Sequence, residues 1–237
     1  MWTCNSTYKY SIHFSENQAI NDNLEISMRT LFDFHFNKIH CKSNKYKIVS
    51  LTEIASFTNG LAMQKFRPKE NEKGIPVLKI KELGQGFCDS SSDICSSTIK
   101  SDYLVDDGDV IFSWSGTLLV DIWSGGKCGL NQHLFKVTSD KYPLWFAYLW
   151  TLRHLDKFIR IAKDKAVTMG HIKRSDLEKS DVLILDNKMM QKLDKLFTPV
   201  LNSCISIRVE NRKLSALRDS LLPKLMSGEL KINDLHR

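Results

Sequence analysis

The residues best equipped for chemistry in this chain are cations and small polar groups. Residues 153–174 carry Arg153, Lys157, Arg160, Lys163, Lys165, Lys173 and Arg174 against Asp156 and Asp164, a net of +5 within a formal +7 for all 237 residues. Cations at that density suit the phosphates of a polyanion, and Thr168 and His171 in the same stretch add groups able to reach base edges. A solvated helical face is the competing reading, because Arg153, Lys157 and Arg160 fall in a helical stretch. A second set lies in "AMQKFRPKENEKG", residues 62–74, where Gln64, Lys65 and Arg67 stand on a loop. Arg67 suits guanine and Gln64 suits adenine if that loop enters a groove; a plain surface loop is the alternative. Lys79 and Lys81 alternate with apolar residues in "IPVLKI" and are expected on one exposed strand face. In "SWSGT", Ser115 and Thr117 suit phosphate, and Trp114 is either a wedge between bases or a core ring. In "NQH", Asn131, Gln132 and His133 are expected to serve the scaffold.

No catalytic set accompanies these groups. The five prolines, at 68, 76, 143, 199 and 223, are never adjacent, so the Asn/Asp-Pro-Pro-aromatic loop of amino-methyltransferases is absent. No G-x-G-x-x-G turn follows a strand, and in "GGKCG" Lys127 is followed by cysteine where a phosphate loop needs Ser or Thr. "ELK" at 229–231 trails a helix without a supporting strand, and Ser113 and Ser115 lack the glycines of a nucleophile elbow. The six cysteines form no C-x-x-C pair and are expected to be reduced thiols. The most apolar window, "YPLWFAYLWTL", is too short to cross a bilayer, so a cytoplasmic protein is expected.

The elements that must hold these groups follow from periodicity. Residues 1–14 show no clean period and stay unassigned. Ile20, Leu24, Met28, Leu31 and Phe32 mark a helix over 16–36. From 44 to 185, β-rich runs ("IPVLKI", "DVIFSWS", "HLFKVT", "SDVLIL") alternate with turn signals, and one helix is expected over 143–163. Ser175 and Glu178 suggest a capping box. From 186 onward Met190, Leu193, Phe197, Val200, Cys204, Ile207, Asn211, Leu214, Arg218, Leu221 and Leu225 recur at 3-4 spacing. That narrow seam predicts a coiled-coil helix with a bend at Pro199 and an end at Pro223 and Gly228. Residues 24–32 and 214–222 also echo each other weakly.

"ENRKLSALRDSLLPKLMSGELKI", residues 210–232, is similar to the distal conserved region of the specificity (S) subunit of type I restriction-modification enzymes. "NDNLEISMRTLFDFHF", residues 21–36, resembles the end of that family's central conserved region. "IPVLKI", "LVDDGDVIFSWSG", "LNQHLFKV" and "AVTMGHIKRSDL" between them resemble its target recognition domain. The resemblance implies an α+β fold: a segment 1–14 without counterpart, a short conserved helix at 15–43, a mixed recognition domain at 44–185, a coiled-coil helix at 186–230 and a tail at 231–237. It implies a half S subunit that binds double-stranded DNA, has no catalytic residue and no cofactor, and directs methyltransferase (M) and restriction (R) subunits, to which S-adenosylmethionine and ATP belong. The helix seam of Leu193, Phe197, Val200, Ile207, Asn211, Leu214, Leu221 and Leu225 is expected to meet a conserved helix absent from this chain, through a homodimer or a second half subunit. Asn211 is expected to set its register. A stand-alone DNA-binding regulator, a coiled-coil assembly protein without a DNA role, and a silent recombination cassette for S-subunit specificity are the alternatives.

Overall fold

The computed structural model describes residues 3–42, 46–164 and 170–229, with side chains described for 13–37, 46–164 and 170–229. The chain runs α1 (Thr3–Lys42), β1 (Lys47–Ser50), α2 (Leu51–Ile54), β2 (Ser56–Asn59), β3 (Ile75–Leu78), α3 (Ile80–Gln85), β4 (Ile94–Cys95), β5 (Leu104–Val105), β6 (Val110–Ser113), β7 (Leu119–Ile122) and β8 (Cys128–Leu130). It continues with β9 (Leu134–Thr138), α4 (Leu144–Arg153), α5 (Leu155–Asp164), α6 (Arg174–Glu178), β10 (Asp181–Ile184) and α7 (Asn187–Met226). The α+β class expected from the sequence holds.

Two four-stranded sheets, ordered β2-β9-β6-β7 and β4-β3-β8-β5, form the domain. β6 separates two apolar layers. Val110 and Phe112 face the helical core with Val137, Phe146 and Phe158, while Ile111 joins Leu78, Trp123, Leu130 and Leu134 between the sheets. A strand buried on both faces reads as the unbroken apolar run "VIF". A third pair, β1 with β10, runs antiparallel from Lys47 opposite Ile184 to Ser50 opposite Asp181. That clamp joins the strand after α1 to the strand before α7, so the two long helices leave the domain side by side.

The helices correct the sequence reading most. α1 and α7 are each 40 residues long, so the N-terminal helix is not short, and residues 3–14, left unassigned, continue it. They pack against each other. Arg208 meets Glu25, and Asn211 meets Asn17, so rising numbers on one oppose falling numbers on the other and the pair is antiparallel. The seam of α7 therefore has its partner within the chain, contrary to expectation. Met28, Phe32 and Phe36 of α1 are buried, at roughly 1.5–3 kcal/mol each.

The α7 seam is also not a strict heptad. Met190, Leu193, Phe197, Leu201 and Cys204 are buried, so the line steps by four from Phe197 to Leu201 and Val200 is left half-buried. Here α7 lies on the domain, with Phe197 stacked on Trp145 at 4.5 Å between centroids, and follows the 3.6-residue period of a helix on a core. Ile207, Asn211, Leu214, Leu221 and Leu225 farther out are half-buried. Asn211, expected to set register against a helix from elsewhere, instead accepts a 3.0 Å bond at Oδ1 from Asn17 Nδ2 of α1. Helix α7 runs through Pro199 without a break and ends at Met226, before Gly228 at φ 75°.

Three smaller differences follow from local bonding. The helix expected over 143–163 is two, divided at His154, whose ring lies 2.9 Å from the Asp181 carbonyl. The capping residues of α6 are Lys173 and Asp176, not Ser175 and Glu178: Asp176 accepts the Lys173 N–H at 2.9 Å. β3 ends at Leu78, and Lys79 caps α3 with its N–H on Glu82, so Lys79 and Lys81 do not share a strand face. Cys88, Cys95, Cys128 and Cys204 are free thiols.

Arg208 locks domain to rod. Its guanidinium donates to Asp121 Oδ1 on β7 and to the Ile122 carbonyl, both at 2.9 Å, and to Glu25 on α1. Burial works against the charge, but Asp121 and Glu25 outweigh it and hold the proton more tightly than on an ordinary arginine. Four residues on, Arg212 grips Asp107 with two bonds of 2.6 and 2.8 Å. Arg208→Ala leaves two partly buried carboxylates facing each other. It is expected to lower the unfolding free energy by about 3 kcal/mol, measured by urea denaturation.

Candidate nucleic-acid interface

Both sheets end at one place. β2 and β6 finish where β9 begins, with Asn59 opposite Phe135 and Ser113 opposite Leu134. β3 and β8 run parallel and finish together, Leu78 beside Leu130. The segments 60–67, 79–81, 114–117 and 131–133 therefore leave from one end of the domain. The Leu61 N–H donates to the Leu130 carbonyl at 3.0 Å, and the Asn131 N–H to the Leu78 carbonyl at 3.1 Å. Residues 170–174 join from the side: Ile172 N–H donates to the Trp114 carbonyl at 2.9 Å, and Ser115 pairs with His171 in an isolated bridge. Gly60 is required here, since a Cβ would sit 2.2 Å from the Asn131 carbonyl oxygen.

The predicted DNA-facing residues are thus drawn together, though unequally. Gln64, Lys65 and Arg67 are exposed, as are Thr117, Lys163, Lys173 and Arg174. Arg174 stands 3.8 Å from Glu178. His171 is half-buried, its ring edge-on to Trp114 at 6.4 Å. Ser115 is buried, so of the two hydroxyls in that turn only that of Thr117 belongs to an exposed residue. Lys79 is held by Asp93, and Lys81 by Asp89 at 3.2 Å and Ser91 at 2.6 Å, which engages both ammonium groups. Lys165 and Thr168 lie outside the described residues. In the same basic stretch, Arg153 binds Asp33 of α1 at 2.8 Å, and Lys157 donates to the Lys179 carbonyl at 2.8 Å. Those two cations hold the fold.

The 62–74 segment is tied down at both ends. Met63 is buried with Val77, Cys95 and Ile99, and the Phe66 carbonyl accepts the Ser96 N–H at 2.7 Å. Glu72 accepts from Ser96 Oγ at 2.6 Å, from the Ser97 N–H at 2.7 Å and from the Lys69 N–H at 3.0 Å. These bonds, Ser96 foremost, pull its carboxyl down to about 2. Gln64, Lys65 and Arg67 are therefore presented by an anchored arch.

Sequence reasoning left Asn59 aside, and the structure sets it at the centre. It is exposed, and its Oδ1 accepts the Trp114 indole N–H at 2.9 Å. Trp114 is half-buried against Phe135 and His133, with centroids 5.7 and 5.9 Å away, so it belongs to the sheet surface and is no wedge. Asn131 Oδ1 accepts the His133 N–H at 3.3 Å, as a scaffold group would. Only the strand pairing brings residues 59 and 114 together, and no local pattern announces it. Among the described residues no group of acidic, histidine or cysteine side chains could hold a metal, and no helix is long and apolar enough to cross a membrane.

Residues 43–197 match the model of the type I restriction modification DNA specificity domain. The chain is similar to the type I restriction enzyme MjaIX specificity subunit of Methanocaldococcus jannaschii, 32% identical over 174 residues, 70% of this chain and 40% of that protein. It is also similar to the EcoBI specificity subunit of Escherichia coli, 24% identical over 214 residues, 87% of this chain and 44% of that one. It therefore spans less than half the length of both. The crystal structure of a type I restriction-modification system S subunit from M. genitalium shares the fold at a TM-score of 0.54 and 13% identity, over 92% of this chain and 56% of that one.

The anchoring by Glu72 has a pH signature. Its carboxyl is lowered from 4.5 to about 2, so the stabilisation it gives is full above pH 4.5 and is lost as pH falls through about 2. Glu72→Gln is expected to remove that acid-side dependence and to speed amide exchange at residues 66–73 at neutral pH, measured by hydrogen–deuterium exchange.

Proposed function

The chain belongs to the type I restriction modification DNA specificity domain family, and from that premise we propose that it is the non-catalytic recognition component of such a system. It binds double-stranded DNA and directs adenine methylation by M subunits and cleavage by R subunits in the cytoplasm. S-adenosylmethionine and ATP are used by those partners. The observation that carries this reading is the gathering of Gln64, Lys65, Arg67, Thr117, Lys173 and Arg174 around one end of the two sheets, on a domain fixed to a two-helix rod by Arg208 and Arg212. The rod sets the distance between recognition ends, as about 1.5 Å per residue over 40 residues gives roughly 60 Å. Exposed Leu217, Leu222 and Met226 on α7 offer apolar surface for a second recognition half, from another copy of this chain or from a different half subunit. The stand-alone regulator and silent cassette are not favoured.

Methylome sequencing of a host with and without this gene, beside its methyltransferase gene, tests the function. Adenine methylation at one defined motif is expected to vanish with the gene. Inverted copies of one half-site in that motif identify two copies of this chain, and unlike halves identify a different partner.

The electrostatic part is separable. Lys163→Ala and Lys173→Ala are expected to weaken binding to all duplex sequences alike, and each to reduce the salt slope by about one unit for the phosphate its ammonium group neutralises. Arg67→Ala is expected to relax preference at one base pair instead. Fluorescence titrations over a range of salt concentrations separate the two effects.

A further inference from the structure

An acidic side chain stands among the cations at the end of the sheets that gathers the polar loops. β3 and β4 run antiparallel with Pro76 opposite Ile94, so Asp93, just before β4, lies beside the finishing end of β3. Its carbonyl accepts the Val77 N–H at 2.7 Å, which fixes the backbone there. The side chain is 63% exposed, so it packs against little of the domain. Its Oδ2 meets the Lys79 ammonium group, and its Oδ1 takes no hydrogen bond among the described residues. Asp89, earlier in the same segment, is bonded quite differently. Its two oxygens accept from Lys81, from Gln85, and from both the N–H and the hydroxyl of Ser91. Asp89 thus holds its own turn together, whereas Asp93 keeps acceptors for a group outside the protein.

We propose that Asp93 is a specificity-determining residue that accepts a hydrogen bond from a base amino group in the major groove and so selects cytosine at one position of the half-site. This inference rests on the DNA-recognition reading above. A carboxylate has no proton to donate, and an oxygen without a partner keeps both of its lone pairs. Cytosine shows the N4 amino donor in the major groove. Guanine shows N7 and O6 there, and thymine shows O4, all acceptors that a carboxylate repels. Adenine offers its N6 amino group but sets the N7 acceptor next to it, which faces the second carboxylate oxygen unfavourably. An aspartate near DNA would also repel phosphates if its charge stood alone. Here the Lys79 hydrogen bond, with the charges of Lys79 and Arg67, holds its carboxyl below the usual range, and the three side chains together remain net positive. The carboxylate therefore stays ionised and still sits in an attractive field.

The test is selection from a randomised duplex library by the full chain, comparing the wild type with Asp93→Asn and Asp93→Ala. Both variants change an exposed side chain, and Asp93→Asn keeps an oxygen for Lys79. Asp93→Asn adds amide donors and is expected to admit guanine and thymine at one position where the wild type prefers cytosine by about tenfold. Asp93→Ala should flatten that same position, with the rest of the motif unchanged in both variants. The wild-type motif recovered from both variants overturns the inference and leaves the DNA-recognition reading standing. So does a loss of affinity shared by all sequences with no change at any one position, which is the mark of a purely structural Lys79–Asp93 pair. A wild-type chain that enriches no motif overturns both readings.

Discussion

A guanidinium largely buried between two helices and a sheet edge can stay charged only if its partners come with it, and Arg208 on α7 has recruited them from two other elements. Glu25 belongs to α1, Asp121 and the Ile122 carbonyl to β7, and the arginine itself to α7. Separating any two of these elements strands a charge away from water, which costs more than the pair contributes when intact. The domain therefore cannot rotate on its helices without breaking this set. Arg212 on Asp107 adds a second fixed point one turn along the same helix. With the axis of the rod and the strands of the domain held in one relation, the end of the sheets that gathers the polar loops always faces the same way.

The rest of the architecture serves that relation. The β1–β10 clamp brings the segments flanking the domain together. The aromatic layer of Phe32, Phe36, Phe146 and Trp150 fills the space between α1 and α4, and Arg153 lies over two of these rings while binding Asp33. Farther out the two helices meet through further polar contacts, Asn17 with Asn211 and His13 with Glu210. Apolar packing supplies most of the stability here, and the few buried polar groups choose one geometry among many of similar energy.

Much of this was legible in the sequence, and the failures have physical causes. The helical periods at 20–32 and from 190 onward, and the apolar runs of β3, β6, β9 and β10, led to the right elements because burial on a regular face leaves a regular pattern. The first third of α1 left none, and the helix shows there only in the structure. Short strands such as β7 and β8 were hidden among glycines and turn residues. In the candidate interface, residue types pointed to stretches that the fold brings to one end of the domain, but not to their bonding. Lys79, Lys81, Arg153 and Lys157 read as available cations, yet each is engaged by a carboxylate or a carbonyl that lies far away in the chain or across a turn. Asn59 was passed over for the opposite reason. Its bond is to a tryptophan 55 positions later, a relation that exists only once β2, β9 and β6 have paired.

The close approach of Gly60 to Asn131 divides this end of the domain into two kinds of sequence. At the contact itself, two stretches of backbone touch with no room for even a methyl group, and nothing there can be rewritten. A few residues further along, Gln64, Lys65 and Arg67 project from an arch whose anchors, Met63, Phe66 and Glu72, do not depend on what those three side chains are. The molecule is thus built like a type case, with a rigid frame and interchangeable letters. Under the proposed function, a lineage could change the word it reads by altering a handful of exposed positions, without reinventing the protein that reads it.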